Sequence, residues 1–231
     1  MTFEFDHLFI CTDIGAPEAD RLVSLGLVEG RANTHPGQGT ANRCFFFHNA
    51  MLEFLWVCDP EETRSELIRP THLWERWAHR QDGVCPFGVC LRSTTTDEDS
   101  IAFPHWEYRP PYLPEPLSIA VGTNSDVLTE PMLFQTPFGK RPDRYLPEKA
   151  QPLEHSIGWQ EITRVESISL TADRPSPALQ AAIRQSRRYA NDTARIGLRV
   201  GGEYCVELGF DREIQGNRVD FRPELPLVVN W

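Results

Sequence analysis

The chain has 231 residues, 40% hydrophobic and 24% charged, which is ordinary for a folded protein with a substantial core. A net charge of −10 argues against nucleic-acid or anionic-membrane surfaces, and no apolar run approaches the roughly 20 residues of a membrane helix. Because the N-terminus lacks a signal-peptide pattern and six cysteines suit a reducing compartment, we expect a cytoplasmic protein that acts on a small molecule.

The first predicted element is a strand over Phe3–Cys11, which is apolar on both faces. Side chains alternate between the two faces of a strand, so His7 should share a face with Phe5 and Phe9. A short helix should follow within Thr12–Leu27, ending at Gly26 in a left-handed conformation.

The next segment, His35–Asn42 (HPGQGTAN), reads as a loop. Its glycines let the backbone approach a ligand closely, and consecutive N–H groups can form an anion-binding nest. The candidate substrate-binding residues of this loop are His35, Gly37, Gly39, Thr40 and Asn42. The alternative is a plain turn between two strands.

Two further strands are predicted over Asn42–His48 and Ala50–Cys58. In the second of these, Glu53 shares a face with Met51 and Leu55. A buried histidine or carboxylate is costly unless it is paired, hydrogen-bonded or bound to a metal. His7 and Glu53 are therefore the candidate catalytic residues, and the alternative is a structural hydrogen-bonded pair. Their apolar neighbours either line a pocket or form core: Phe5, Phe9, Met51 and Leu55.

The middle of the chain, residues 61–160, is predicted to contain a helix around Trp74 and Trp77 and a short strand, Pro86–Arg92. Residues 104–152 are rich in proline, which interior strands exclude. We predict strands there only at Leu117–Gly122 and Met132–Gln135, with the remaining irregular loops forming the far wall of a pocket.

The end of the chain, residues 161–231, is predicted to have the same order of elements as residues 1–60. A strand begins at Ile162, Asp173 is a candidate helix cap before Pro177–Gln185, and two more strands flank a Gly201–Gly202 turn as a predicted hairpin. We therefore expect a diverged second unit here, within one compact structural domain.

These elements carry a resemblance to a known family. The segments FDHLFI (Phe5–Ile10), HPGQGTAN (His35–Asn42) and MLEFLWV (Met51–Val57) resemble the vicinal oxygen chelate (glyoxalase/bleomycin-resistance/dioxygenase) superfamily. More narrowly, they resemble its glyoxalase-like domain family. The resemblance implies an α+β fold in which two βαβββ units form a cupped, incomplete barrel.

The resemblance also implies a metal site. In metalloenzymes of the superfamily, each unit supplies a His from its first strand and a Glu from its fourth, which here are His7 and Glu53. Aligning residues 161–231 with the first unit places Glu207 opposite Glu53 and Ser167 opposite His7. Serine is a poor ligand for Fe, Mn, Ni or Zn, so the implied metal ligands are His7, Glu53 and Glu207.

Three functional hypotheses follow. The first is a lyase, isomerase or dioxygenase whose His7 and Glu53 hold a divalent metal or act as an acid–base pair. The second is a metal-free protein that binds and sequesters a small molecule, as drug-resistance members of the superfamily do. The third is a structural relic. The cup can close within one chain or between the subunits of a homodimer.

Overall fold

The computed structural model describes residues 3–94, 101–137, 139–169, 174–188 and 194–231. The described strands are β1 (Phe3–Cys11), β2 (Thr34–His35), β3 (Thr40–Phe46), β4 (Met51–Val57), β5 (Phe87–Ser93), β6 (His105–Tyr108), β7 (Ile119–Gly122), β8 (Met132–Gln135), β9 (Ile162–Ser169), β10 (Arg195–Val200), β11 (Cys205–Phe210), β12 (Arg218–Asp220) and β13 (Leu227–Asn230). The described α-helices are α1 (Ala19–Leu25), α2 (Pro60–Thr63), α3 (Leu73–Ala78) and α4 (Pro177–Arg188).

A large curled sheet with the order β2-β3-β4-β1-β5-β8-β7-β6 forms a half-barrel. At its centre β1 and β5 are antiparallel, and each pairs in parallel with the last strand of its own half, β4 or β8. The pairing pattern of the first unit is thus repeated by β5–β8. This mixed α+β architecture confirms the predicted fold class, and both halves of the sheet come from one chain.

The prediction that the second unit lies in residues 161–231 is wrong, because its strands are those of residues 87–135. The strands predicted in this region are confirmed as β5, β7 and β8, but β6 was missed. These strands are short and prolines interrupt the sequence between them, so their alternation is too brief to mark a repeated unit.

Residues 161–231 instead supply a separate sheet with the order β10-β9-β11-β13-β12. Strand β9 lies between β10, which is parallel to it, and β11, which is antiparallel. The predicted hairpin of β10 and β11 is therefore wrong. The sequence pattern of two alternating strands joined by a Gly-Gly turn is the same whether the strands pair directly or are separated by a third strand. The predicted cap at Asp173 falls outside the described residues.

The main hydrophobic core lies between the two sheets. Leu8 and Ile10 of β1 and Phe54 of β4 pack in it with Leu22 of α1, as predicted. Helix α1 ends at Gly26, whose φ of 108° confirms the predicted left-handed position. In the described part of the chain, no helix combines the length and hydrophobicity that a membrane span requires.

A second cluster occupies the concave face of the large sheet. It joins Phe9 and Leu55 to Ile68 and Leu73, so the segment that contains α2 and α3 covers part of the cup. The indole N–H of Trp77 fastens this segment by donating to the carbonyl of Thr12 at 2.8 Å. The concave face that remains is the one that carries the candidate site.

Asn49 joins the two sheets, and its loss should destabilise the protein. Its side chain accepts a hydrogen bond from the Ile162 N–H at 3.0 Å and donates one to the Ile162 carbonyl at 2.8 Å. Because Asn49→Ala leaves both buried groups without a partner, we expect the free energy of unfolding to fall by about 2–3 kcal/mol in urea titrations. Asn33→Ala, at an exposed position, is the control, and a loss for Asn49→Ala no larger than the control's would contradict this role.

Candidate active site

A β-bulge in β1 shapes the candidate site. The register of β1 against β5 shifts between Phe5 and His7, so the strict alternation of side chains is interrupted there. The carboxylate of Asp6 reaches the Nδ1 atom of His7 at 2.6 Å, although the two residues are neighbours in a strand. This contact fixes the orientation of the His7 ring, so that Nε2 is the ring nitrogen that faces the cup.

The other ring nitrogen of His7 faces Glu53. His7 Nε2 lies 3.6 Å from Glu53 Oε2, and both side chains are buried. The second oxygen of Glu53 accepts a hydrogen bond of 2.5 Å from the Asn42 side-chain amide. Asn42 is itself oriented by the backbone N–H of Asn33, which donates to its oxygen at 2.7 Å. The carboxylate therefore keeps one oxygen directed at His7.

Arg92 binds the carboxylate of Asp6 through the oxygen that does not contact His7. This guanidinium, on β5, is 3% exposed and bonds to Asp6, to Glu4 and to the carbonyl of Asn49. Asp6 thus receives one hydrogen bond from an arginine and forms a second with a histidine. Such outer partners are typical of histidines that act as ligands or catalysts.

The charges of this group are strongly shifted. Burial lowers the pKa of His7, but Cys90 and Asp6 outweigh this effect and raise that pKa well above 6.5. Burial raises the pKa of Asp6, but its contacts with His7 and Arg92 outweigh this and lower it. Asp6 and His7 therefore form a pair of opposite charges, in which Asp6 is an anion and His7 is a protonated imidazolium.

The opposite half of the sheet supplies Cys90 and Phe134. Cys90 of β5 is the direct cross-strand partner of His7, and ligand atoms of Asp6, His7 and Cys90 lie within 4.8 Å of one another. Burial raises the pKa of the Cys90 thiol. The Phe134 ring packs edge-on against His7 with 5.2 Å between ring centroids. A thiol and an aromatic ring thus face the His7 side of the cup.

The loop after β2 forms the next wall. Thr40 is hydrogen-bonded to Nδ1 of His35 at 2.9 Å and to the Gln38 amide at 2.8 Å. The Tyr108 hydroxyl donates to the oxygen of Gln38 at 2.8 Å. Burial lowers the pKa of His35, while nearby Glu53 raises it to a lesser degree. His35 is therefore a neutral imidazole close to the Glu53 carboxylate.

The two predicted loop glycines approach other parts of the chain. Gly37 has a φ of 80°, its N–H donates to Glu62 at 2.7 Å, and a Cβ there would lie 2.7 Å from Pro111. A Cβ at Gly39 would collide with the Asp59 carbonyl. The backbone of the loop therefore makes close approaches at both glycines, but to other parts of the protein. The Gly37 N–H donates its hydrogen bond to the Glu62 carboxylate, so it is not available to an anionic ligand.

A family model described as a glyoxalase-like domain matches residues 5–183, well over half of the chain. The chain belongs to the glyoxalase-like domain family. Its fold is similar to that of a hypothetical protein from Staphylococcus aureus, with a TM-score of 0.56 and 11% identity over 99% of this chain and 98% of that one. A hypothetical protein from Bacillus halodurans aligns with 59% of this chain and 94% of its own at 14% identity and a TM-score of 0.39. No curated protein matches the chain.

Several predicted residues of this glyoxalase-like protein lie together. His7, Glu53 and Asn42 form one connected group, with half-buried His35 beside it. Met51 shares the face of Glu53 and is half-buried, whereas Phe9 and Leu55 belong to the concave cluster next to the site.

Two predicted residues do not belong to the site. Phe5 lies in the core between the sheets, because the bulge before His7 moves it to the other face of β1. Glu207 lies in the small sheet, where it forms ion pairs with Arg164 and Arg199. The counterpart of His7 is therefore Cys90 of β5, and not Ser167 of β9.

A cleft of about 400 Å³ lies elsewhere, among loops that adjoin strands of both sheets. Its lining includes Cys11, Arg80 and Tyr204, but neither His7 nor Glu53. Asp13, which also lines it, is paired with Arg80. The cleft is thus separate from the concave site described above.

Proposed function

We propose that this glyoxalase-like protein is an enzyme of the lyase or isomerase type that acts on a small neutral carbonyl compound through His7 and Glu53. The supporting observation is the 3.6 Å separation of His7 Nε2 and Glu53 Oε2. It is too long for a hydrogen bond. Two donors that each lie about 2.1 Å from a tetrahedral cation are about 3.4 Å apart, which is close to this separation.

The donors fit a divalent cation such as Fe, Mn, Ni or Zn once His7 Nε2 has released its proton, because a histidine ligand binds a metal in its neutral form. His7 would offer Nε2 while Asp6 holds Nδ1, which is the usual outer partner of a metal-bound histidine. Glu53 would offer Oε2. Cys90 is a further candidate on the other side of His7, where its thiol lies within 4.8 Å of ligand atoms of Asp6 and His7. When bound, the cation would polarise a substrate carbonyl. Cysteine in place of a second histidine favours a lyase or isomerase over an extradiol dioxygenase.

The chain's own residues support proton transfer. When no cation occupies the pair, Glu53 Oε2 is available to accept a proton from the carbon next to the carbonyl, and the electron pair of the broken C–H bond moves to the carbonyl oxygen as an enolate. The His7 imidazolium, whose pKa is raised by Cys90 and Asp6, stabilises the negative charge on that oxygen. Asn42 holds the other carboxylate oxygen, so that Glu53 returns the proton from a fixed position.

Metal analysis tests the donor set. We expect about one equivalent of a divalent metal in the purified, untagged protein, lost in His7→Ala and retained in His48→Ala, whose histidine lies beside exposed Glu154. Elemental analysis measures the content, and melting curves with added Mn²⁺, Fe²⁺, Ni²⁺ or Zn²⁺ measure binding. No metal in the wild type and no shift in Tm with any of the four would contradict the metal-binding proposal.

That outcome would favour the second candidate function, metal-free binding of an apolar small molecule. The observation behind it is the set of rings around the site: Phe134 lies against His7, and Tyr112 lies 5.1 Å from His35 between ring centroids. Rings of this kind provide most of the surface in many ligand pockets.

We also propose a cytoplasmic location. The cysteines at positions 11, 44, 58, 85, 90 and 205 are free, and all but Cys58 are buried. Free thiols persist where the compartment is reducing.

A further inference from the structure

Tyr112 lies in the proline-rich connection between β6 and β7, which packs over the loop after β2. Pro111 of this connection fills the space beside Gly37, and the Tyr112 ring lies 5.1 Å from the ring of His35. A proline before the tyrosine restricts the backbone. The ring of Tyr112 is therefore placed against the candidate site by two independent contacts.

The hydroxyl of Tyr112 has a poor partner within the protein. It lies 3.5 Å from the Gln38 side-chain oxygen, whereas the Tyr108 hydroxyl donates to that same oxygen at 2.8 Å. Hydroxyl hydrogen bonds are normally 2.5–3.0 Å long. Gln38 is thus well satisfied by Tyr108, and the donor capacity of Tyr112 is largely unused.

The surroundings of Tyr112 keep its hydroxyl protonated. Burial raises its pKa, and the nearby Glu53 carboxylate raises it further. The hydroxyl therefore donates at neutral pH. Because Glu53 is close, a second anionic group on a ligand would be repelled there, and a neutral oxygen is the better acceptor.

We propose that Tyr112 is the substrate-binding hydrogen-bond donor of this site, and that it selects a flat aromatic compound with one neutral carbonyl oxygen. The ring of such a ligand suits the aromatic surface of Tyr112, His35 and Phe134. Its oxygen completes the hydrogen bond that Gln38 leaves weak. This inference rests on the proposed function and names its substrate class.

Acetophenone and ethylbenzene are suitable probes, because they have similar shape and differ in the carbonyl oxygen. We expect the wild type to bind acetophenone about three- to tenfold more tightly, as one net hydrogen bond provides. Tyr112→Phe should reduce this preference to about one. Tyr204→Phe, which removes a hydroxyl that donates to Gly83 in the other cleft, should retain it. Dissociation constants come from NMR titration, with circular dichroism to verify folding.

An unchanged preference in Tyr112→Phe would overturn the assignment, as would a wild type that binds both probes equally or fails to bind acetophenone. Exchange of the acetophenone methyl hydrogens in D₂O reports the proposed chemistry separately. Exchange by the wild type with no role for Tyr112 in binding would refute this inference alone. A Tyr112-dependent preference without exchange would refute the proposed enzyme and support the binding site.

Discussion

Replacing Glu53 with glutamine should lower the protein's rate of proton abstraction next to a carbonyl by about 10²–10⁴-fold. Glutamine has nearly the shape of glutamate and keeps an oxygen that can accept the hydrogen bond from Asn42. It cannot accept a proton from carbon at neutral pH. The loss should therefore appear in the rate and only weakly in folding.

Hydrogen–deuterium exchange into hydroxyacetone and acetophenone, followed by NMR, measures this rate on simple carbonyl compounds, so the natural substrate need not be identified first. Glu107→Gln is the matched control, because that carboxylate is exposed and paired with Arg109. We expect its exchange rate to equal that of the wild type. Equal rates for Glu53→Gln and the wild type would exclude Glu53 as the base.

Replacing Arg92 with methionine should lower the free energy of unfolding by about 3–5 kcal/mol. The Arg92 side chain is 3% exposed, and it neutralises two carboxylates, Glu4 and Asp6, that are 19% and 17% exposed. Methionine fills much of the space but leaves these charges facing each other in a poorly solvated site. It also removes the donor to the Asn49 carbonyl.

Urea unfolding of the variant measures the loss, and Arg109→Met provides the comparison. Arg109 and Glu107 form an exposed pair, 63% and 56% exposed, so its removal should cost less than about 1 kcal/mol. If both variants lose the same stability, the buried network around Asp6 does not stabilise the fold. Because Asp6 holds His7, we also expect Arg92→Met to bind less metal.

The first unit was predicted well from the sequence because its signals are local. Strand β4 is apolar and regular, so alternation placed Glu53 beside Met51 and Leu55 correctly. The left-handed end of α1 at Gly26 follows from the glycine itself. The loop motif also placed Asn42 in the site, where it binds Glu53.

The missed parts of the site depend on irregularity and on long-range pairing. A bulge breaks the alternation that was used to place Phe5, and it brings Asp6 to His7. Cys90, Arg92 and Tyr112 come from distant segments of the chain, and no spacing in the sequence marks them as neighbours of His7. A cysteine between two buried strand residues reads as core, and a tyrosine among prolines reads as loop.

The sequence by itself therefore determined the α+β class, the first βαβββ unit and the candidate residues His7, Glu53 and Asn42, because strand alternation and turn chemistry act between near neighbours. Only the tertiary structure decided that β5 pairs with β1 and that Glu207 is paired with arginines in a separate sheet. Which strands pair depends on how the complete sheet buries its apolar faces. The alternation of side chains along one strand shows which face is apolar, but it does not specify the neighbouring strand.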